Sequence, residues 1–241
     1  MKKGIVQEII MALQSGANPE RAAKSPGYFK TFDEVQNTKM SAIYLGTSVP
    51  DQRAIAKDYY GKITQEETLQ LLYNDIHECR LTAIFILIMF YEKQKKQEDK
   101  MALYELVMKN LDPVNSWDLT DSLAPKIIGP YLYDKDRKPL YELALSGQLW
   151  RQRIAMVSTQ YFIKKKDYND VIGLALLLLH HPHDMIHKAV GWMLKEMSQK
   201  DRTRAEDFLD LHYNSMPRTM LRVAIEKFPE PIRQAYLKGV K

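Results

Sequence analysis

One cysteine, ten glycines and no long apolar run are the first things to notice in this chain. A lone Cys79 cannot form an internal disulfide, which excludes the disulfide-stapled scaffolds and fits a reducing compartment. It sits in Glu78-Cys79-Arg80 at the head of a very apolar segment, where a buried and inert thiol is expected. The longest apolar run, Ala83 to Tyr91, is nine residues, and Leu174 to Leu179 is six. A bilayer-spanning helix needs roughly 20, so no membrane contact is expected. Met1-Lys2-Lys3-Gly4 leads straight into an amphipathic segment without a signal-peptide pattern, and a cytoplasmic protein is expected. A glycine-rich phosphate loop, a nucleophile-elbow serine, a Cys/His nucleophile pair and a cysteine-rich zinc pattern are all missing, which removes most common catalytic classes.

What remains is an ordinary globular composition: 241 residues, 45% hydrophobic and 27% charged. The formal net charge of +5 is unevenly spread. Residues 1–145 carry 19 Lys/Arg against 20 Asp/Glu, and residues 146–241 carry 16 against 10. The basic excess therefore lies in the C-terminal part, which suggests that one end or face contacts a polyanion.

Apolar spacing is three to four residues almost throughout, and no segment reads as a strand. Prolines at 19, 50, 113, 139, 182, 217, 229 and 231 break the pattern, several of them where a first helical turn tolerates proline. The reading is a train of helices over about 3–15, 18–24, 51–62, 65–75, 78–96, 99–110, 115–131, 137–146, 149–165, 168–180, 184–199, 202–211, 217–227 and 230–238. Helix pairs recur every 35–40 residues or so in the second half, the period of HEAT-like repeats. The expected fold is all-α, a superhelical solenoid of HEAT-like antiparallel helix pairs forming one domain over 1–241, with a mobile loop at 25–40.

Three segments could carry chemistry. In Asn115-Ser116-Trp117-Asp118-Leu119-Thr120-Asp121-Ser122, Trp117 and Asp121 are four residues apart on one helical face. Leu119, Leu123 and Ile127 form the apolar row, and the Trp117/Asp121 pair points about 160° from Leu119. A carboxylate beside an indole is suited to a cation, and an exposed helix-start acid beside a half-buried Trp is the plainer alternative. In Lys188-Ala189-Val190-Gly191-Trp192, Trp192 lies about 120° off the core stripe, and Gly191 calls for close packing or ligand contact. In Trp150-Arg151-Gln152-Arg153, Arg153 opposes the helix dipole and projects to the flank, so either a phosphate or a neighbouring carboxylate would account for it. His183 and His187, spaced four apart, imitate a zinc motif, but Asp184 reads better as a helix cap and no third ligand follows; no metal is expected.

Taken together, Asn-Ser-Trp-Asp-Leu-Thr-Asp-Ser, Leu-Trp-Arg-Gln-Arg-Ile-Ala and His-Lys-Ala-Val-Gly-Trp-Met-Leu-Lys-Glu resemble, in order and spacing, the AlkD-like DNA alkylation repair family. Tyr44-Leu45-Gly46-Thr47-Ser48-Val49-Pro50 with Arg53 is similar to that family's N-terminal motif, and the resemblance spans about residues 4 to 228. It implies a HEAT-like DNA glycosylase that releases cationic alkylpurines, chiefly 3-methyladenine and 7-methylguanine, from double-stranded DNA. It also implies that Asp121 is the catalytic carboxylate, that Trp117 and Trp192 flank the lesion's sugar and backbone, that Arg153 binds phosphate, and that Lys188 and Lys195 support it. No cofactor is implied, and a monomer is expected. The alternative from another class is a non-catalytic repeat scaffold that binds DNA or protein.

Overall fold

The structure is a computed structural model; it describes residues 4–29, the backbone of 32–33 and 38–39, and 42–241. Its packing divides the chain into two compact units, Met1–Leu123 and Ala124–Lys241.

The first unit contains α1 (Ile5–Ser15), α2 (Pro19–Phe29), a two-residue antiparallel ladder of β1 (Phe32–Asp33) with β2 (Thr38–Lys39), then α3 (Val49–Tyr59), α4 (Gln65–Leu72), α5 (His77–Lys93), α6 (Gln97–Lys109) and α7 (Trp117–Leu123). The helix starts follow from local chemistry. Ser48 caps α3 by accepting from the Asp51 amide, with Pro50 in the first turn. Thr64 and Glu67 form a reciprocal capping box on α4. Helix α5 is the hub: α1, α3, α4, α6 and α7 all pack on it. It is buried on all sides from His77 to Leu87, as a helix without an amphipathic pattern must be.

The second unit opens with a π-helical turn (Ala124–Ile128) and continues with α8 (Gly129–Leu132), α9 (Lys138–Leu145), α10 (Leu149–Ser158), α11 (Gln160–Lys164), α12 (Asn169–Leu177), α13 (Asp184–Ser198), α14 (Arg202–His212), α15 (Arg218–Ala224) and α16 (Glu230–Lys238). Here α13 is the hub, packed by α10, α11, α12, α14 and α15.

The fold is all-α apart from the two-residue ladder, which the sequence pattern did not reveal. The expected loop at 25–40 is partly helix: α2 runs on through Pro26 and Gly27 to Phe29. Tertiary packing overrides local propensity here, because Tyr28 and Phe29 seat their rings against Trp117. Residues 30–31, 34–37 and 40 of that expected loop lie outside the described residues. The single helix expected over 115–131 is three pieces: α7, the π-helical turn and α8. Pro125 cannot donate to the carbonyl of Asp121, which accounts for a departure from α-helical pairing at this point.

Candidate active site

Trp117 and Asp121 both line a cavity of about 680 Å³ in the first unit. Three elements build its walls. The head of α5 supplies His77, Glu78, Leu81 and Phe85; α7 supplies Trp117, Asp118, Asp121 and Ser122; the end of α2 supplies Tyr28 and Phe29. The segment Gly46–Pro50 and the first turn of α3 close the remainder.

The segment is held in place by a buried carboxylate. Glu78 accepts from the Gly46 amide at 2.7 Å and from the Leu45 amide at 3.1 Å. Gly46 adopts φ +76°, and a Cβ there would come within 2.2 Å of the Asn18 carbonyl oxygen. Only glycine satisfies both demands. Thr47 donates to the Leu13 carbonyl at 2.7 Å, and Gln52 donates to the Thr47 carbonyl at 2.8 Å, so the segment is tied on both sides.

Aromatic rings converge on Trp117. Tyr28 meets it edge-on at 5.4 Å and Phe29 lies 5.9 Å away. Phe29 also stacks parallel to Tyr44 at 5.4 Å and sits 4.4 Å from the His77 ring. Beneath them, His77 Nε2 is 2.8 Å from Asp118 Oδ2, and Ser116 Oγ donates to Asp118 Oδ1 at 2.6 Å. Asp118 is thereby fixed at both oxygens. Asp121, one turn on, receives a longer bond of 3.2 Å from Thr120 Oγ1. Arg80 donates to Asn115 at 2.7 Å, and burial lowers its pKa from the usual value. Burial likewise pushes the Tyr44 phenol up to about 12. Cys79 is fully buried, and its thiol is also pushed up to about 12, mainly by burial, so it is the inert thiol expected.

The cavity lining also includes cations. These are Arg21, Lys24 and Arg53, and among the described residues none of them has a carboxylate within ion-pair reach. The Arg53 guanidinium lies 3.9 Å over the Phe85 ring.

The other expected site residues belong to the second unit. Arg153 does not project to the flank: it is 5% exposed and donates to the Met185 carbonyl at 2.5 Å. The amphipathic reading of α10 failed because its residues Gln152 to Ser158 are buried on every side. Lys188 pairs with Asp184 at 2.6 Å and Lys195 with Glu226 at 3.0 Å. Trp192 is half-buried, and its indole N–H donates to Glu196 at 3.1 Å. At Gly191 the structure decides for packing: a Cβ would lie 2.6 Å from the Met220 carbonyl oxygen and 2.8 Å from Val223 Cβ, because α15 presses on this turn. His183, not Asp184, caps α13, its Nδ1 accepting from the Met185 amide at 3.0 Å. Among the described residues no group of three His, Cys, Asp or Glu could hold a metal ion.

Sequence reasoning missed Tyr28, Phe29, His77 and Asp118. The two rings lie in the expected loop, and His77 and Asp118 meet across 41 residues of chain. Asp118 was visible beside Trp117, but nothing in the sequence indicated its partner.

An all-α fold holding a pocket lined by indole, phenyl, carboxylate and cationic side chains defines a class that can accept a cationic group attached to an anionic chain. The particular family follows from comparison. A model of the DNA alkylation repair enzyme family matches residues 9–228, and the chain belongs to that family. Membership places it among enzymes of DNA repair, with DNA as the partner. Among solved structures, it is similar to a predicted DNA alkylation repair enzyme from Enterococcus faecalis, with a TM-score of 0.66 and 18% identity over 89% of this chain and 97% of that one. That likeness supports the fold. No curated protein matches. Among the described residues no helix is long and apolar enough to cross a membrane.

Proposed function

We propose that the protein is a DNA glycosylase that hydrolyses the N-glycosidic bond of cationic N-alkylated purines such as 3-methyladenine and 7-methylguanine. The observation that carries this reading is the shared cavity of Trp117 and Asp121, walled by Tyr28, Phe29 and Asp118. Alkylation leaves the purine positively charged and already a good leaving group. When the bond from C1′ breaks, its electron pair neutralises the base, so no general acid is needed. Positive charge develops on the sugar instead. The Asp121 carboxylate stabilises it electrostatically, and the Trp117 face adds cation–π attraction. Water then adds at C1′ and loses a proton, for which Asp121 is the acceptor. Asp118, engaged at both oxygens by His77 and Ser116, contributes fixed negative charge.

In the second unit, the reading assigns Trp192, Lys188 and Lys195 to the DNA strand. Lys188 is the more available, with 42% of its side chain exposed against 17% for Lys195. Arg153 could reach a phosphate only by leaving Met185, and its present bonds make it a brace between α10 and the start of α13.

The test is incubation with methylated duplex DNA and chromatography of the released bases, alongside Asp121→Asn. Release of methylpurines by the wild type alone supports the glycosylase. Retained DNA binding with no release by either protein overturns it and leaves a non-catalytic scaffold.

A further inference from the structure

We propose that Arg21, Lys24 and Arg53 hold the DNA phosphodiester beside the damaged nucleotide, making the first unit's cavity a clamp lined by both these cations and the Asp118 and Asp121 carboxylates. The inference rests on the glycosylase reading and extends it: the phosphate contacts named from the sequence are Arg153, Lys188 and Lys195, none of which lines this cavity.

Three observations carry it. First, Arg21, Lys24 and Arg53 all line the cavity that holds Trp117 and Asp121. Arg21 and Lys24 are three apart on α2, hence on one helical face. Second, all three side chains are exposed and lack carboxylate partners among the described residues. Arg21 donates to the Gly46 carbonyl at 2.7 Å, which anchors one nitrogen, and Phe85 supports the Arg53 guanidinium from beneath. Such arginines are positioned without being neutralised, as phosphate recognition needs. Third, the second-unit cations expected to contact phosphate each have a protein partner: Lys188 pairs with Asp184 at the surface, Lys195 with Glu226, and Arg153 donates to the Met185 carbonyl. An alkylated nucleotide is itself two-ended, with a cationic base and an anionic phosphodiester. The carboxylates and rings suit the first end, and the three cations suit the second.

The decisive measurement is the salt dependence of binding to unmodified duplex DNA, for the wild type, Lys24→Ala, Arg53→Gln and the double variant. Each lost phosphate contact should reduce the slope of log K against log salt by about 0.9, so the double variant should fall by nearly 2. Arg21→Lys is added because it preserves charge while loosening the Gly46 anchor; its slope should match the wild type. On methylated DNA the double variant should show a raised KM with kcat little changed, since it loses binding and keeps Asp121. An unchanged slope in the double variant, with melting temperature intact, overturns the clamp while leaving base release untouched. A reduced slope in a protein whose wild type releases no base overturns the glycosylase reading and leaves a DNA-binding cavity.

Discussion

The first unit carries 15 Lys and Arg against 17 Asp and Glu, the second 20 against 13. On totals the second unit is the natural place to look for a polyanion. Side-chain pairing reverses that expectation at the residues that matter. In the second unit Lys188 and Lys195 are in ion pairs, and Arg137 is held by Asp167 at 2.7 Å and by Asp170. In the first, near-neutral unit, three cations face a cavity without carboxylate partners among the described residues. Net charge governs long-range attraction, whereas a specific phosphate contact depends on which charges the fold has left unneutralised.

The largest expected effect lies at Asp121. Asp121→Asn should lower the rate of base release by about 10²–10³-fold, the usual cost of losing one preorganised electrostatic group. DNA affinity should stay equal or rise, because a negative charge near phosphates is removed. Gel-shift titration beside the release assay checks both. Normal release by this variant would remove Asp121 from the chemistry.

Next in size come two glycines, one in each unit. Gly46→Ala combines a positive φ with a backbone clash at 2.2 Å and should destabilise by a few kcal/mol, about 3. Gly191→Ala clashes at 2.6 Å in an ordinary helical conformation and should cost about 1–2 kcal/mol after its gain in helix propensity. At roughly 2–4 °C per kcal/mol, thermal melting separates them. Equal melting temperatures would show that the Gly46 turn relaxes freely.

Arg153→Ala tests the brace in the second unit. Losing a buried charged hydrogen bond to Met185 should cost about 2 kcal/mol in stability and leave the salt slope of DNA binding unchanged. A reduced slope with unaltered stability would restore Arg153 as a phosphate contact.

The smallest effect is acid sensitivity at His181. Burial, followed by His183 and His187, lowers its pKa below the usual histidine value. Its Nδ1 accepts from the His183 amide at 3.0 Å, and its Nε2 is bonded to Gln152 at 3.0 Å. The unfolded chain therefore binds a proton more readily than the folded one. The contribution to stability is complete above the ordinary histidine pKa and is lost as pH falls toward the depressed folded value. His181→Gln should flatten the melting-temperature profile over that window. An unchanged profile would mean that other groups dominate it.

Much of the fold is legible in the amino-acid sequence. The helix at 230–238 matches its observed bounds, and that at 184–199 ends within a residue of them, because proline starts and apolar periodicity are local signals. Trp117 and Asp121 are legible as a same-face pair for the same reason, and they do line one cavity. Their surroundings are not. His77 finds Asp118 across 41 residues, and α2 persists through Pro26-Gly27 because its terminal rings pack on Trp117. Arg153 reads as flank-facing from its own helix, but the start of α13 covers it.

The helices, the lack of disulfide and phosphate-loop chemistry, and the indole–carboxylate face of α7 are written in the order of the residues alone. These follow from periodicity, residue type and short spacing, which the chain carries along its length. Which charges are neutralised, and which line a cavity without a carboxylate partner among the described residues, is set by packing between distant helices. Ion pairing between Lys195 and Glu226, or burial of Arg153 under Met185, depends on helices some 30 residues apart in sequence meeting in space, and no local pattern encodes that meeting.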